Sequence, residues 1–239
     1  MRILSTRKAR NTACLLGLAS SPAWSANLIV ENFDDLSVAV TNGWVINNQS
    51  SSPAGGSSWF QGNSGVFGAH SGAPTSYAAA NFNNSSSGAI SDWLIAPVVS
   101  LGEGFTVTFY TRTETGSPLP DRLQVRLSTN GASANVGSGP AAVGDFSMLL
   151  LDINSTYAPS GYPEGWTVQT ITLSGLGGAT SGRIAFRYLI DDVSINGNYI
   201  GVDTFSVQDA AVPEPATILL TGSMLGAVAF MRRRKGVSQ

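Results

Sequence analysis

The residues that most often carry acid–base or metal chemistry are scarce in this sequence, which contains one histidine, His70, and one cysteine, Cys14. A serine hydrolase needs a base beside its nucleophile, but no G-x-S-x-G elbow occurs, and His70 lies in the glycine-rich stretch 68–72. Zinc would need further His or Cys ligands, and Cys14 belongs to the N-terminal segment. We therefore predict no catalytic residue and interpret His70 as a hydrogen-bonded imidazole in a loop.

Carboxylates are the other common source of catalysis, because glycosidases place two of them across one cleft. Fifteen acidic residues are available, but nothing in their spacing marks out a pair. Asp191 and Asp192 are adjacent, so in an extended strand they would point to opposite faces, and we interpret them as part of a turn. The sequence thus favours a protein that is not an enzyme.

Exposed aromatic rings are a usual contact surface for sugars. Trp59 and Tyr162 are both flanked by Ser, Gly or Pro, which places them in or beside predicted loops, where a ring can reach solvent. We predict these two as candidate ligand-binding residues. The alternative is that each ring folds back to close the core, and the sequence does not decide between the two.

The charge of the chain is divided unevenly. Four of the 13 basic residues lie within residues 1–10 and four at 232–235, which leaves five arginines between them, where all fifteen acidic residues lie, from Glu31 to Glu214. That central part therefore carries a net charge of −10 and contains no lysine. Phosphate backbones and anionic lipids repel such a surface, which argues against nucleic-acid binding and against a peripheral membrane role for the domain.

The middle of the chain, residues 26–210, shows no helical periodicity and is rich in Gly, Ser, Asn and Thr. Short segments in it alternate apolar and polar residues, as strands with one buried face do, and the clearest is FTVTFYT at 105–111. Further strands are predicted at residues 123–127, 148–153, 166–173, 184–188 and 199–207. Short strands separated by Gly, Pro and Asn clusters predict an all-β sandwich.

Three local expectations follow from the same alternation. The apolar parity switches within residues 166–173, which we attribute to a β-bulge in preference to an inward-facing Gln169. Arg126 and Arg187 alternate with apolar neighbours and are expected to face solvent. The Ser/Asn-rich stretches 47–58 and 83–88 are predicted to be surface loops.

Residues 1–25 have the organisation of a secretory signal peptide, with a basic start, an apolar run and a stretch of small residues. Cleavage by signal peptidase after Ser25 puts Ala23 and Ser25 at the required positions, and cleavage after Ala26 is a near alternative. Export would remove the only cysteine, so the mature domain is expected to have neither a disulfide nor thiol chemistry.

Residues 211–239 combine three features in order. The tripeptide Pro213, Glu214 and Pro215 comes first, an uncharged apolar run follows at 216–231, and a basic tail occupies 232–235 and includes Arg232, Arg233 and Arg234. As a helix the run is about 24 Å long, a minimal span of a hydrocarbon core of about 30 Å, and its basic end stays on the cytoplasmic side. We therefore predict a single C-terminal transmembrane helix.

This C-terminal arrangement resembles the PEP-CTERM sorting signal of bacteria that have an outer membrane and produce exopolysaccharide. The resemblance implies that a membrane enzyme, the exosortase, recognises and removes the tail, so that the protein is anchored in the inner membrane only transiently. The destination that it implies is the cell surface or the extracellular matrix.

A series of short motifs runs in order through residues 28–208. The most specific are DWLIAP at 92–97 and VD at 202–203, and they are accompanied by ENFD at 31–34, GW at 43–44 and IAFR at 184–187. This order resembles that of choice-of-anchor J domains, which are similar to the cleaved-adhesin modules. The resemblance implies a non-catalytic jelly-roll β-sandwich on surface or secreted proteins, with Trp44 and Trp93 in its core. One departure is Thr204, where the family often has a second aspartate, and this weakens any metal site there.

The resemblance and side-chain parity together predict a calcium ion between the first and last strands. Glu31 shares its parity with Ile29, and Asp203 shares its parity with Phe205, so each strand is expected to direct a carboxylate toward its apolar side. First and last strands of jelly rolls are commonly neighbours, and calcium would offset the cost of burying both carboxylates, with Asp34 as a further ligand. The alternative is that Glu31 and Asp203 are exposed or accept hydrogen bonds from backbone amides.

These features together predict an exported, non-enzymatic protein of the cell surface or matrix. Its leading function is matrix adhesion, with extracellular polysaccharide as the partner and calcium as the one cofactor expected. Two alternatives are a carbohydrate-active enzyme or its accessory carbohydrate-binding module, and a purely structural matrix protein.

The two terminal signals predict that protein recovered from the matrix begins near Ala26 and ends between residues 213 and 215, because each signal is complete. Intact-mass measurement on native material tests this directly. A membrane-bound species that retains Arg232, Arg233 and Arg234 would show instead that the tail is a permanent anchor.

Overall fold

Two antiparallel sheets of six strands each face one another in a computed structural model, which describes residues 26–53 and 57–210. The segments predicted as signal peptide and as sorting tail with its transmembrane helix lie outside the described residues. No helix in the described ranges is long and apolar enough to cross a bilayer. The elements are β1 Asn27–Glu31, α1 Leu36–Thr41, β2 Val45–Asn48, β3 Phe60–Gln61, β4 Ala78–Asn81, a 3-10 turn Phe82–Asn84, β5 Ile90–Ile95, β6 Val99–Leu101, β7 Thr106–Thr113, β8 Leu123–Ser128, β9 Met148–Ile153, β10 Thr167–Thr172, β11 Thr180–Ile190 and β12 Tyr199–Gln208.

The order of the strands places the first and last strands of the domain side by side. The first sheet has the order β10-β7-β12-β4-β3, with β1 also paired to β12. The second has the order β2-β5-β11-β8-β9, with β6 also paired to β11. Ile29 of β1 lies opposite Val207 of β12, so the first and last strands are neighbours. The prediction of an all-β sandwich is confirmed.

Apolar side chains from the two inner faces form the main core. Four rings follow one another in edge-to-face contact: Trp44 lies 5.3 Å from Phe205, Phe205 lies 5.5 Å from Phe186, and Phe186 lies 4.9 Å from Phe109, measured between centroids. Such T-shaped contacts add to the stabilisation that burial of the rings provides. Trp44 is 2% exposed in this core, and Trp93 is 0% exposed in a second apolar cluster, so both rings are buried, as predicted.

Strand β10 does not contain the predicted bulge, because it pairs with β7 without interruption from Thr167 to Thr172. Gln169 lies opposite Phe109, on the core side, whereas Val168 is 47% exposed. The prediction of a bulge was therefore wrong, and the alternative, in which Gln169 faces inward, is correct. An edge strand tolerates a polar residue at the margin of the core better than a central strand does.

Arg187 was expected to face solvent but is only 3% exposed. Its guanidinium lies 4.9 Å from the centre of the Trp93 ring, in the apolar cluster that residues 134–146 form with the outer face of the second sheet. Its hydrogen bonds go to Ser91 Oγ, Gln124 Oε1 and the carbonyl oxygen of Pro140. Burial lowers the pKa of Arg187 to about 10. Alternation identifies the face that lies away from the core, but it does not say what covers that face.

A buried carboxylate anchors the two Ser/Asn-rich stretches. Asp92 on β5 is fully buried and accepts hydrogen bonds from Ser58 Oγ and Asn84 Nδ2, both at 2.6 Å. Asn84 is itself buried, and Asn47 and Asn48 are part of β2, so these stretches are not wholly surface loops as predicted. Burial raises the pKa of Asp92 to about 8.

The raised pKa of Asp92 predicts that stability falls as the pH rises from about 4 to about 8. In the unfolded chain an aspartate loses its proton near pH 3.9, whereas the folded protein holds the proton of Asp92 to about pH 8. Between these values the folded state binds more protons than the unfolded state, so the free energy of unfolding decreases with pH. Urea unfolding measured across this range should show the decline, and Asp92→Asn should reduce it.

Asp191→Asn is the matched control, since the side chain of Asp191 is 66% exposed and the same atoms are exchanged. This variant should keep the full decline with pH. A decline that is identical in Asp92→Asn and in the unmodified protein would show that Asp92 is ionised in the folded state.

Candidate functional site

The outer face of the first sheet, which lies away from the core, carries a second layer of aromatic side chains. The segment that leaves β3 brings Phe67 against Tyr77 and Tyr199, in a cluster separate from the main core. Gly201 on β12 makes room for this layer, because a Cβ there would lie 2.8 Å from Trp166 and 3.0 Å from Phe67 and Tyr77. A glycine inside a strand marks such close approach.

A bulge in β12 turns two consecutive polar side chains toward this layer. The pairing of β12 with β7 shifts between Asp203 and Ser206, and Thr204 adopts a φ of 51°. Asp203 lies opposite Tyr110, on the outer face, while Phe205 is back in the core. A β-branched residue with positive φ is a strained arrangement, and such strain tends to gather at functional sites.

The carboxylate of Asp203 holds the segment that carries His70. It is fully buried, and its Oδ2 accepts hydrogen bonds from the backbone N–H groups of His70 at 2.9 Å and Ser71 at 3.1 Å. Its Oδ1 accepts hydrogen bonds from the N–H of Thr204 at 2.6 Å and from the Thr204 hydroxyl at 3.3 Å. Burial raises the pKa of Asp203, and these hydrogen bonds oppose that effect.

The ring of His70 is fixed from two sides. It stacks on Tyr110 of β7 with a centroid distance of 3.5 Å and an interplanar angle of 16°. Its Nδ1 lies 3.0 Å from Thr204 Oγ1, in a hydrogen bond whose direction depends on the tautomer of the ring. Within residues 26–53 and 57–210 no hydrogen bond involves Nε2.

Trp166 completes the exposed part of this layer. Its centroid lies 6.3 Å from that of His70, its ring packs edge-on against Phe67 at 5.6 Å, and its Nε1 donates to the carbonyl of Gly68 at 2.8 Å. His70 is exposed, and Tyr110 and Trp166 are half-buried. We call these three residues the aromatic platform. Each ring is fixed by packing or hydrogen bonds, so a ligand that stacks on it would find a rigid surface.

The arrangement around His70 is not that of a hydrolytic triad. In such a triad a carboxylate orients the imidazole, and the imidazole activates the nucleophile. Here the carboxylate of Asp203 contacts the hydroxyl of Thr204 and backbone amides, not the ring of His70. The prediction that His70 is a hydrogen-bonded imidazole in a loop is confirmed by its contact with Thr204.

The two aromatic residues predicted from the sequence as ligand contacts are both buried. Trp59 is 4% exposed and donates from Nε1 to the carbonyl of Asp92 at 3.1 Å. Tyr162 is 3% exposed, with its hydroxyl 2.6 Å from Thr111 Oγ1. That prediction was wrong, because each residue folds back from its loop and gives its polar atom a partner inside the domain.

The three residues predicted to bind calcium do not form one site. The bulge at Thr204 puts Asp203 on the outer face, whereas Glu31 lies opposite Phe205 on the inner face and accepts a hydrogen bond from the N–H of Phe33 at 2.9 Å. Asp34 is exposed and lines an open cleft of about 490 Å³ beside α1. No group of three or more His, Cys, Asp or Glu side chains within the described ranges could hold a metal ion, so these residues do not fit calcium.

None of the three platform residues was predicted from the sequence as a ligand contact. Tyr110 lies in the clearest predicted strand, but its ring belongs to the face that alternation assigns to solvent. Trp166 follows the turn residues Pro163, Glu164 and Gly165, a context like that of the two aromatic residues chosen wrongly. The one usable indication was Gly201, an isolated glycine inside a predicted strand, which implies that bulky side chains approach there.

Comparison with known proteins supports the fold alone. No family model matches the chain, and no curated protein matches it. The K1 cleaved adhesin domain of Lys-gingipain from Porphyromonas gingivalis is 18% identical over 77% of this chain and 99% of that domain, with a TM-score of 0.53. The K3 cleaved adhesin domain of the same protein is 19% identical over 77% of this chain and 99% of that domain, with a TM-score of 0.49. A structure of carbohydrate-binding modules from the β-sandwich superfamily is 15% identical over 74% of this chain and 62% of that chain, with a TM-score of 0.45.

The hydrogen bonds of Asp203 predict that calcium does not stabilise this domain. Both carboxylate oxygens already accept N–H donors, so an ion would have to displace them before it could bind. We expect the midpoint of thermal unfolding to be the same in excess calcium and in excess chelator. A midpoint that rises with calcium, and that no longer rises in Asp203→Ala, would contradict this and establish the ion.

Proposed function

We propose that this protein is an exported, non-catalytic adhesive domain that binds a neutral extracellular polysaccharide through the aromatic platform. The proposal includes a jelly-roll topology of the choice-of-anchor J kind and delivery to the cell surface or matrix by a signal peptide and a PEP-CTERM tail. Signal peptidase and the exosortase are its partners during export. The observation that carries the binding function is the stacked pair His70 and Tyr110 beside Trp166.

The chemistry of the platform suits a sugar ring. The C–H faces of a pyranose pack on aromatic faces, and hydroxyl groups need donors and acceptors arranged around those faces. His70 offers an exposed ring edge with Nε2 as a hydrogen-bonding atom. Because Asp203 and Thr204 already fix the ring, little conformational entropy is lost on binding.

From the platform toward the start of β7, the outer face of the sheet carries uncharged hydroxyl side chains. Thr108 lies opposite Thr170, and Thr106 lies opposite Thr172, all on the same face as Tyr110. Ser206 of β12 lies beside Thr108 on this face. Rows of hydroxyl groups without charge favour a neutral polysaccharide over a uronic acid polymer, which the net negative charge of the domain would also repel.

The adhesive role in this proposal is taken from the K1 cleaved adhesin domain, whose fold this chain shares over nearly the whole length of that domain. The resemblance of the terminal segments to export and sorting signals supports a location outside the cytoplasm. An enzyme would require a pair of catalytic groups, and the contacts of His70 described above do not supply one.

Truncation of a platform residue is predicted to weaken glycan binding without unfolding the domain. A screen of neutral oligosaccharides should find a ligand for the unmodified protein, with no turnover of the bound sugar. His70→Ala and Trp166→Ala should each weaken its affinity by about tenfold or more, as loss of an aromatic anchor commonly does. Isothermal titration calorimetry gives the affinities, and thermal melts show whether each variant is folded.

Phe82→Ala is the matched control, because Phe82 is an exposed aromatic residue, 45% accessible, that does not belong to the platform. This variant should bind as the unmodified protein does. Equal loss of binding in Phe82→Ala and His70→Ala, or turnover of the sugar, would overturn the proposal.

A further inference from the structure

The edge strand β10 differs from every other free edge of the two sheets. A sheet edge presents unpaired N–H and C=O groups, which proteins usually protect with short length, charge or an irregular register. Edges β3 and β6 have only two and three residues, and β2 has four and ends in two asparagines. Edge β9 contains Asp152 and edge β1 contains Glu31, and both have an irregular register.

Strand β10 has none of these protections. Its six residues, TVQTIT, pair with β7 in a continuous register and include no charge and no proline. Five of the six are β-branched, the type that fits best in a strand. Apart from the pairing with β7, no backbone hydrogen bond involves residues 167–172 within the described part of the chain. Val168, 47% exposed, adds apolar surface beside this edge.

We infer that β10 is an association surface for a second copy of this chain, which adds its own β10 in antiparallel orientation. Residues 26–210 contain five arginines against fourteen acidic residues, so two copies repel one another over most of their surfaces. The uncharged edge of β10 is a surface where that repulsion is weakest. A strand without charges can pair with itself about a two-fold axis.

The faces of the strand require the two-fold axis to pass through a residue, and of the two central positions, Gln169 and Thr170, we place it at Thr170. Val168, Thr170 and Thr172 lie on the outer face, because their partners on β7 do. A two-fold axis at Thr170 keeps outer residues opposite outer residues, with Val168 facing Thr172 of the second copy. The two first sheets then form one continuous sheet, and both aromatic platforms lie on the same side of it. Two platforms on one surface raise the apparent affinity for a repeating polymer.

Cysteine cross-linking tests this pairing in the full chain. In a Cys14→Ser background, Thr170→Cys introduces the only thiol, since Cys14 is the only natural cysteine. Directly opposite residues have Cβ atoms about 5 Å apart, close to the separation that a disulfide spans. Mild oxidation should therefore link Thr170→Cys into a dimer, with at least about tenfold more product than a cysteine held away from the axis.

Thr108→Cys is the matched control, because Thr108 lies opposite Thr170 on the same face but on the central strand β7. It shares the tail and every other feature of the chain, so association through other segments affects both variants alike. A dimer yield from Thr170→Cys no higher than from Thr108→Cys overturns the inference.

A mixture of two variants tests the register and does not depend on how well Thr170→Cys folds. Val168→Cys and Thr172→Cys chains should link to each other more than either links to itself, because these positions face one another across the axis. Mixed dimers that form no more readily than like dimers contradict the register centred on Thr170. The result is independent of glycan binding, so failure of one proposal is distinguishable from failure of the other.

Discussion

The buried carboxylate of Asp203 is the constraint on which the outer layer of the first sheet depends. Four donors converge on it, and two of them are backbone amides of the segment that carries His70. Without an acceptor at this point those amides would be left unsatisfied beside a buried surface, which is costly. The carboxylate therefore ties the segment to the sheet, and the position of His70 over Tyr110 follows from that tie.

On the outer face of each sheet, a buried ionisable side chain holds the covering segment by hydrogen bonds to its backbone. The side chain is acidic on the first sheet and basic on the second. On the first sheet an aspartate accepts hydrogen bonds from the covering segment, and on the second sheet Arg187 donates one to the carbonyl of Pro140 in the covering loop. Each charged group is buried beneath an irregular segment and hydrogen-bonded to its backbone. The two faces differ in their exposed residues, because the aromatic platform and the hydroxyl side chains beside it lie on the first sheet.

The strands were predictable from the sequence because alternation of apolar and polar residues is a local property. The burial of β7 alternates along its whole length, as the pattern in residues 105–111 indicates. The alternation of side chains predicted the wrong face for Asp203, because β12 contains a bulge at Thr204. The extra residue places Asp203 on the outer face, away from Glu31, which removes the basis for the predicted calcium site. The burial of Arg187 could not be predicted either, because it depends on a loop that covers the sheet from a distant part of the chain.

The central claim is that a sugar binds on the aromatic platform, and a nuclear magnetic resonance titration tests it most directly. A neutral oligosaccharide that binds should shift the indole N–H signal of Trp166 and the ring signals of His70, together with amides around Tyr110 and Thr204. The signals of Trp93 and Trp44 should stay in place, since both rings are buried elsewhere. Shifts that map to the second sheet, with the signals of Trp166 and His70 unmoved at saturation, would contradict the account.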